Sequence, residues 1–170
     1  MKIVLLGYMA SGKSTVGRLL ARQLGVGFID LDDYIEQKQK KSIQDIFSEK
    51  GEIYFRKLEH QMLKEVLDTH TSVVLSTGGG TPCYANNMET ILQQSDHSIY
   101  LNHSIPVLVE RITKEKEHRP LVKNIPDHDL PEFVGKHLFE RRPYYMQAEH
   151  RVDCDPLSPE EVVGEINKLL

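Results

Sequence analysis

One stretch near the start of the chain restricts the possible folds more than any other: Gly7-Tyr8-Met9-Ala10-Ser11-Gly12-Lys13-Ser14. It matches G-x-x-x-x-G-K-[ST], a pattern that has meaning only between a strand and a helix. Both flanks are present. Ile3 to Leu6 is a continuous apolar run, as expected of a strand buried on both faces of a parallel sheet. After the loop, Val16, Leu19, Leu20 and Leu24 recur at helical spacing, and Gly25 marks the stop. In that setting the glycines let backbone N–H groups wrap a phosphate, and the helix N-terminus adds a partial positive charge. Lys13 is placed to reach the outer phosphates, and the Ser14 hydroxyl to ligate a Mg²⁺ ion. Ala10, Ser11, Gly12, Lys13, Ser14 and Thr15 are therefore the expected contacts to a nucleotide's phosphate tail. The loop specifies binding and leaves the chemistry open. The absence of an Asn-Lys-x-Asp guanine-reading motif argues against a GTPase.

The rest of the chain continues the alternation. Short strands are expected at Phe28-Ile29, Val73 to Leu75, Ser98 to Leu101 and Arg151-Val152. Helical stretches are expected over Leu58 to Leu67, Met88 to Gln94, and after Ser158-Pro159-Glu160-Glu161, an N-cap followed by proline and acids. This predicts an α/β fold of three layers, with a five-stranded parallel sheet and helices on both faces, and 170 residues suit one domain, 1–170. Ligands of such sheets sit beyond the carboxyl ends of the strands. The glycine loop, Asp30-Leu31-Asp32 and Gly78-Gly79-Gly80 all fall there. Residues 32–60 and 113–131 look inserted rather than core. The second is charged, carries Pro120, Pro126 and Pro131, and looks too polar to pack, which suggests a lid.

Composition excludes some classes. Net charge is −4 with a pI near 6.1, so no basic field is available to hold a nucleic acid. No run approaches the length of a membrane span, and the N-terminal apolar run is too short for a signal peptide. A cytoplasmic protein is expected, with no membrane partner, acting as a monomer. Cys83 and Cys154 read as two reduced, buried thiols. The eight histidines show no ligand spacing and read as surface or core residues, while Met62, Met88 and Met146 read as packing.

The acceptor side is more informative. In extended chain, the carboxylates of Asp30 and Asp32 point the same way and could hold Mg²⁺ and take a proton from an attacking hydroxyl. Together, Gly7-x4-Gly12-Lys13-Ser14, Asp30-Leu31-Asp32, Phe55-Arg56-x-x-Glu59, Thr77-Gly78-Gly79-Gly80, Arg119-Pro120-Leu121 and Glu140-Arg141-x-Pro143-x-Tyr145 resemble the shikimate kinase family. The matches come in family order and cover residues 7 to about 156.

The resemblance implies a nucleoside-monophosphate-kinase-like P-loop fold, with a substrate-binding insert at about 32–60 and a lid at about 113–124. The implied reaction is transfer of the ATP γ-phosphoryl group to the 3-hydroxyl of shikimate, with Mg²⁺. It casts Arg56 and Arg141 as carboxylate binders, Asp32 as the residue that contacts the ring hydroxyls and is the candidate base, and Gly78, Gly79 and Gly80 as the loop the ring approaches. It further casts Arg119 as the lid arginine, Arg111 as a residue near adenine, and Asp155-Pro156 as part of the adenine loop. Lys13, Asp32 and Arg119 form the implied catalytic set, Ser14, Asp30 and Asp32 the metal set. The sequence departs from the family pattern at Ala10, where glycine is common and alanine is expected to change little, and at Val122 in place of leucine. Another small-acceptor kinase of the same fold, or a nucleotide-binding protein without turnover, are the alternatives.

Overall fold

The strand that leads into the glycine loop, β1 (Lys2–Leu6), lies at the centre of the sheet. The computed structural model describes residues 1–170. After β1 come α1 (Lys13–Leu24), β2 (Gly27–Asp30), α2 (Leu31–Gln39), α3 (Ile43–Lys50) and α4 (Glu52–Thr69). Next are β3 (Val73–Ser76), α5 (Asn87–Gln94), β4 (His97–Asn102) and α6 (Ile105–Glu115). The chain finishes with α7 (Leu130–Tyr145), β5 (His150–Asp153) and α8 (Pro159–Asn167). The strand order is β2-β3-β1-β4-β5 and every pairing is parallel. All five expected strands are therefore present, each within a residue or two of its predicted limits.

Alternate residues of the central strands face opposite layers. Val4, Leu6, Leu75 and Tyr100 pack on one side against Leu63, Leu67, Ile91, Ile112, Val134 and Leu138 of α4 to α7. Ile3, Leu5, Val74, Ile99 and Leu101 pack on the other against Val16, Leu20, Val162, Val163 and Ile166 of α1 and α8. This is why the strand signal was a solid apolar run rather than an alternation. Local chemistry sets the helix ends. Gly25 closes α1 in the left-handed region, its N–H bonded to Ala21 O and Arg22 O. Ser158 and Glu161 form a reciprocal capping box at α8.

Four expectations fail. Residues 32–60, read as inserted rather than core, form α2, α3 and the first half of α4, and bury Ile35, Ile46, Phe55 and Leu58 in the larger apolar cluster. Residues 113–131 do pack, because Val122 and Leu130 are both 0% exposed within the same cluster. Two buried apolar anchors, with the partly buried Ile125 beside them, dock a segment whose charged side chains are mostly exposed. Met146 is 48% exposed and Cys83 only partly buried, so neither is the core residue expected. No helix is long and apolar enough to cross a membrane.

Candidate active site

The glycine loop turns between β1 and α1, and Gly12 caps the helix at φ 82°, the left-handed region. Ala10 sits at φ 63°, also left-handed, where a residue with a Cβ costs roughly 1–2 kcal/mol. Alanine here is therefore not the indifferent substitution expected. Its carbonyl accepts a hydrogen bond from Arg111 Nη1 at 3.2 Å, which ties α6 to the loop. Lys13 is buried, and its Nζ donates to Gly7 O at 2.7 Å and Tyr8 O at 3.0 Å. Burial pushes the Lys13 pKa down to about 8, against the pull of Asp32 and Asp30.

Asp30 ends β2 and caps α2. Its Oδ1 accepts the N–H groups of Asp32 (3.0 Å) and Asp33 (3.3 Å), and its Oδ2 accepts the Ser14 hydroxyl at 2.5 Å. Asp32 thus lies in the first turn of a helix, and the extended-chain argument for two parallel carboxylates is wrong. The cap brings both to one cleft by a different route. This cleft of about 500 Å³ is lined by Ala10 to Thr15, Asp30, Asp32, Ser76 to Gly79, His103, Arg111 and Arg119. Asp32 is raised to about 7, first by burial, then by the negative charges of Asp30 and Glu59, with Lys13 opposing. A hydroxyl and two carboxylates are hard oxygen donors beside the phosphate loop, so the residues present fit a small divalent cation.

Beyond Asp32 lies the second half of the site. Arg56, on α4, donates from Nη1 to Glu59 Oε1 at 2.9 Å, and Glu59 is held in turn by the Thr81 hydroxyl at 2.8 Å. The Arg56 guanidinium rests 3.9 Å from the Tyr84 ring centre, and its buried Nε has no hydrogen-bond partner within the chain. Arg141, on α7, arrives from the other side. A Cβ on Gly80 would stand 3.0 Å from Arg56 Nη2 and 3.2 Å from Arg141 Nη2, and one on Gly79 would stand 3.0 Å from Arg141 Nη1. A Cβ on Gly78 would stand 3.1 Å from Asp32 Oδ1. A side chain anywhere on the glycine run would crowd these groups: two guanidiniums and a carboxylate lean on one bare stretch of backbone. Tyr145 donates its hydroxyl to Gly79 O and fixes that stretch from beneath.

Arg119 follows α6 at the cleft rim, paired with Glu115 through Nε at 3.1 Å and through Nη2. Pro156 is exposed and does not line the cleft; its neighbours Leu157, Pro159 and Val162 do. Sequence reasoning missed His103. It is 6% exposed, donates from Nε2 to Ser11 O at 2.8 Å, and faces Asp155 Oδ1 with Nδ1 at 2.9 Å. It therefore links the phosphate loop to the segment after β5. Its place just past the carboxyl end of β4 was the available signal. His137 was also read as ordinary. It bonds the Tyr8 hydroxyl at 2.9 Å, and burial together with Arg141 holds its pKa down to about 4.

The comparisons agree with this geometry. The shikimate kinase family model matches residues 9–170. A shikimate kinase of Flavobacterium psychrophilum is 47% identical, over 99% of this chain and 98% of its own. That of Flavobacterium johnsoniae is 46% identical over the same shares. The crystal structure of shikimate kinase from Bacteroides thetaiotaomicron superposes with a TM-score of 0.93 at 39% identity, covering 99% of this chain and 97% of that one. The Acinetobacter baumannii enzyme, solved with shikimate, gives 0.89 at 32% identity, covering 99% and 91%. With its phosphate loop, acidic pair and paired arginines assembled on the five-stranded sheet those relatives share, this chain belongs to the shikimate kinase family.

Proposed function

We propose that this protein transfers the γ-phosphoryl group of ATP to the 3-hydroxyl of shikimate, giving shikimate 3-phosphate and ADP on the route to chorismate and the aromatic amino acids. The observation that carries the reading is the convergence of Arg56 and Arg141 on Gly79 and Gly80, beside Asp32 and at the mouth of the phosphate cleft. Two guanidinium forks, of which Arg56 is held by the buried Glu59 and neighboured at 3.8 Å by the exposed Glu52, match a planar carboxylate ligand. Asp32, next to the same glycines, takes the ring hydroxyls.

The Gly7–Thr15 loop cradles the phosphates, with Lys13 exchanging its loop carbonyls for phosphate oxygens. Arg119 exchanges Glu115 for the phosphoryl group in transfer, as part of a lid over residues 113–124. Arg111 and Leu157 wall the base. Ser14, Asp30 and Asp32 would hold Mg²⁺, which neutralises phosphate charge when bound. The protein's share is positioning and charge complementarity for an in-line displacement; Asp32 orients the hydroxyl and accepts its proton. A monomer is part of this reading. Two unpaired cysteines and a need for ATP suit the cytoplasm.

The test is ADP release from Mg·ATP with and without shikimate. A large shikimate-dependent rate, absent with gluconate, is expected. Release indifferent to shikimate would leave the phosphate site standing and remove the acceptor assignment.

A further inference from the structure

At the amino edge of the sheet, far from the phosphate loop, the parallel register of β4 and β5 gathers three side chains that sequence spacing kept apart. His150 pairs with Ile99, so His97, two residues earlier on β4, projects from the same face. Glu149 is fixed beside them because its N–H donates to Ser98 Oγ at 2.9 Å. His97 Nδ1 lies 3.3 Å from His150 Nε2, and each of these nitrogens lies 3.7 Å from Glu149 Oε2. The imidazoles stack with centroids 5.4 Å apart and are only 20% exposed, while the carboxylate is half exposed. The histidines therefore do form a ligand-like cluster, although their sequence spacing showed none.

We propose that His97, Glu149 and His150 form a zinc site that clamps β4 to β5. The two ring nitrogens stand 3.3 Å apart, at the long end of a hydrogen bond and also the spacing that a metal bound by both would give them. A tetrahedral ion with bonds of about 2.1 Å spaces its ligand atoms by roughly 3.4 Å, within the observed 3.3–3.7 Å. Two imidazoles and one carboxylate suit a borderline ion such as Zn²⁺ and leave a fourth position for water. Mg²⁺ favours oxygen ligands, so the ion that accompanies ATP does not compete. β4 rises about 3.3 Å per residue, which puts the site roughly 17 Å from the strand's carboxyl end. Its role is structural: it pins the start of the edge strand whose other end leads to Asp155, the partner of His103.

The experiment is a Zn²⁺ titration of the full chain, free of any polyhistidine tag and of nucleotide, against a chromophoric chelator, with thermal unfolding in parallel. We expect one equivalent bound in the micromolar range, a rise in Tm of several degrees, and tetrahedral-type absorption when Co²⁺ replaces Zn²⁺. Glu149→Gln and His150→Gln should each weaken binding at least tenfold and abolish the Tm rise, with kcat under Mg·ATP unchanged. Glu149→Gln alters a half-exposed side chain and keeps the test valid should His150→Gln fold poorly. Binding weaker than millimolar, or equal affinity in wild type and Glu149→Gln, would overturn the proposal, the latter by placing the ion elsewhere.

Discussion

Asp32 concentrates the electrostatics of the site. Its raised pKa, about 7, means that the folded protein binds a proton there that the unfolded chain has lost. The stabilisation this gives is complete below about pH 4 and vanishes as pH rises through 7. Asp32→Asn removes a charge that is costly at alkaline pH, so its Tm relative to wild type should improve by the equivalent of a few kcal/mol between pH 4 and pH 8. The same variant should lose roughly 10²–10⁴-fold in kcat, because an amide takes no proton. A Tm gap flat with pH would place the shift elsewhere, and near wild-type turnover would end the base role. Arg56 is best tested by Arg56→Lys, which keeps a cation against the buried Glu59 and removes the fork. KM for shikimate should rise about 10–100-fold, as expected for lost charge-assisted hydrogen bonds, with KM for ATP unmoved. An unchanged KM for shikimate would make that guanidinium purely structural.

At the scale of elements, the segment after α6 shows how a polar stretch is held. Arg119 and Glu115 face water, but Val122 is fully buried and anchors the turn between them and α7. Val122→Ala should cost about 2 kcal/mol of local docking. If the segment opens as its own unit, cleavage by added protease within 116–126 should rise roughly 30-fold while global Tm moves little. A drop of several degrees with unchanged cleavage would show that Val122 belongs to the main core. The glycine loop makes a related point. Ala10 is held left-handed against its preference, and the Arg111 contact to its carbonyl is one of the forces holding it there.

Across the whole molecule, each half of the site is tied together by a group outside the reacting set. His103 connects the loop after β1 to the loop after β5, and Tyr145 connects α7 to the glycine run after β3. His103→Ala leaves the Ser11 carbonyl without its buried donor, a loss of about 1–3 kcal/mol. KM for ATP should therefore rise roughly 10-fold or more. KM for shikimate should stay put, and His103→Gln should restore part of the loss through its amide donor. Equal effects on both substrates, or no rescue, would mean that His103 supports the fold at large.

The sequence by itself determined the strands, the phosphate loop and many of the polar residues that meet in the cleft, though not His103. Those signals are local: a strand buried on both faces reads as an apolar run, and a phosphate loop is eight consecutive residues. Only the tertiary structure decided the rest. Asp30 and Asp32 share the cleft because Asp30 caps a helix, which an Asp-x-Asp spacing does not reveal. Residues 113–131 pack because of Val122, Leu130 and the partly buried Ile125 among many charges, too few to change a compositional reading. His97, Glu149 and His150 meet because parallel strands 53 residues apart in sequence fall into one register, and register is set by the burial of the whole sheet rather than by any local pattern.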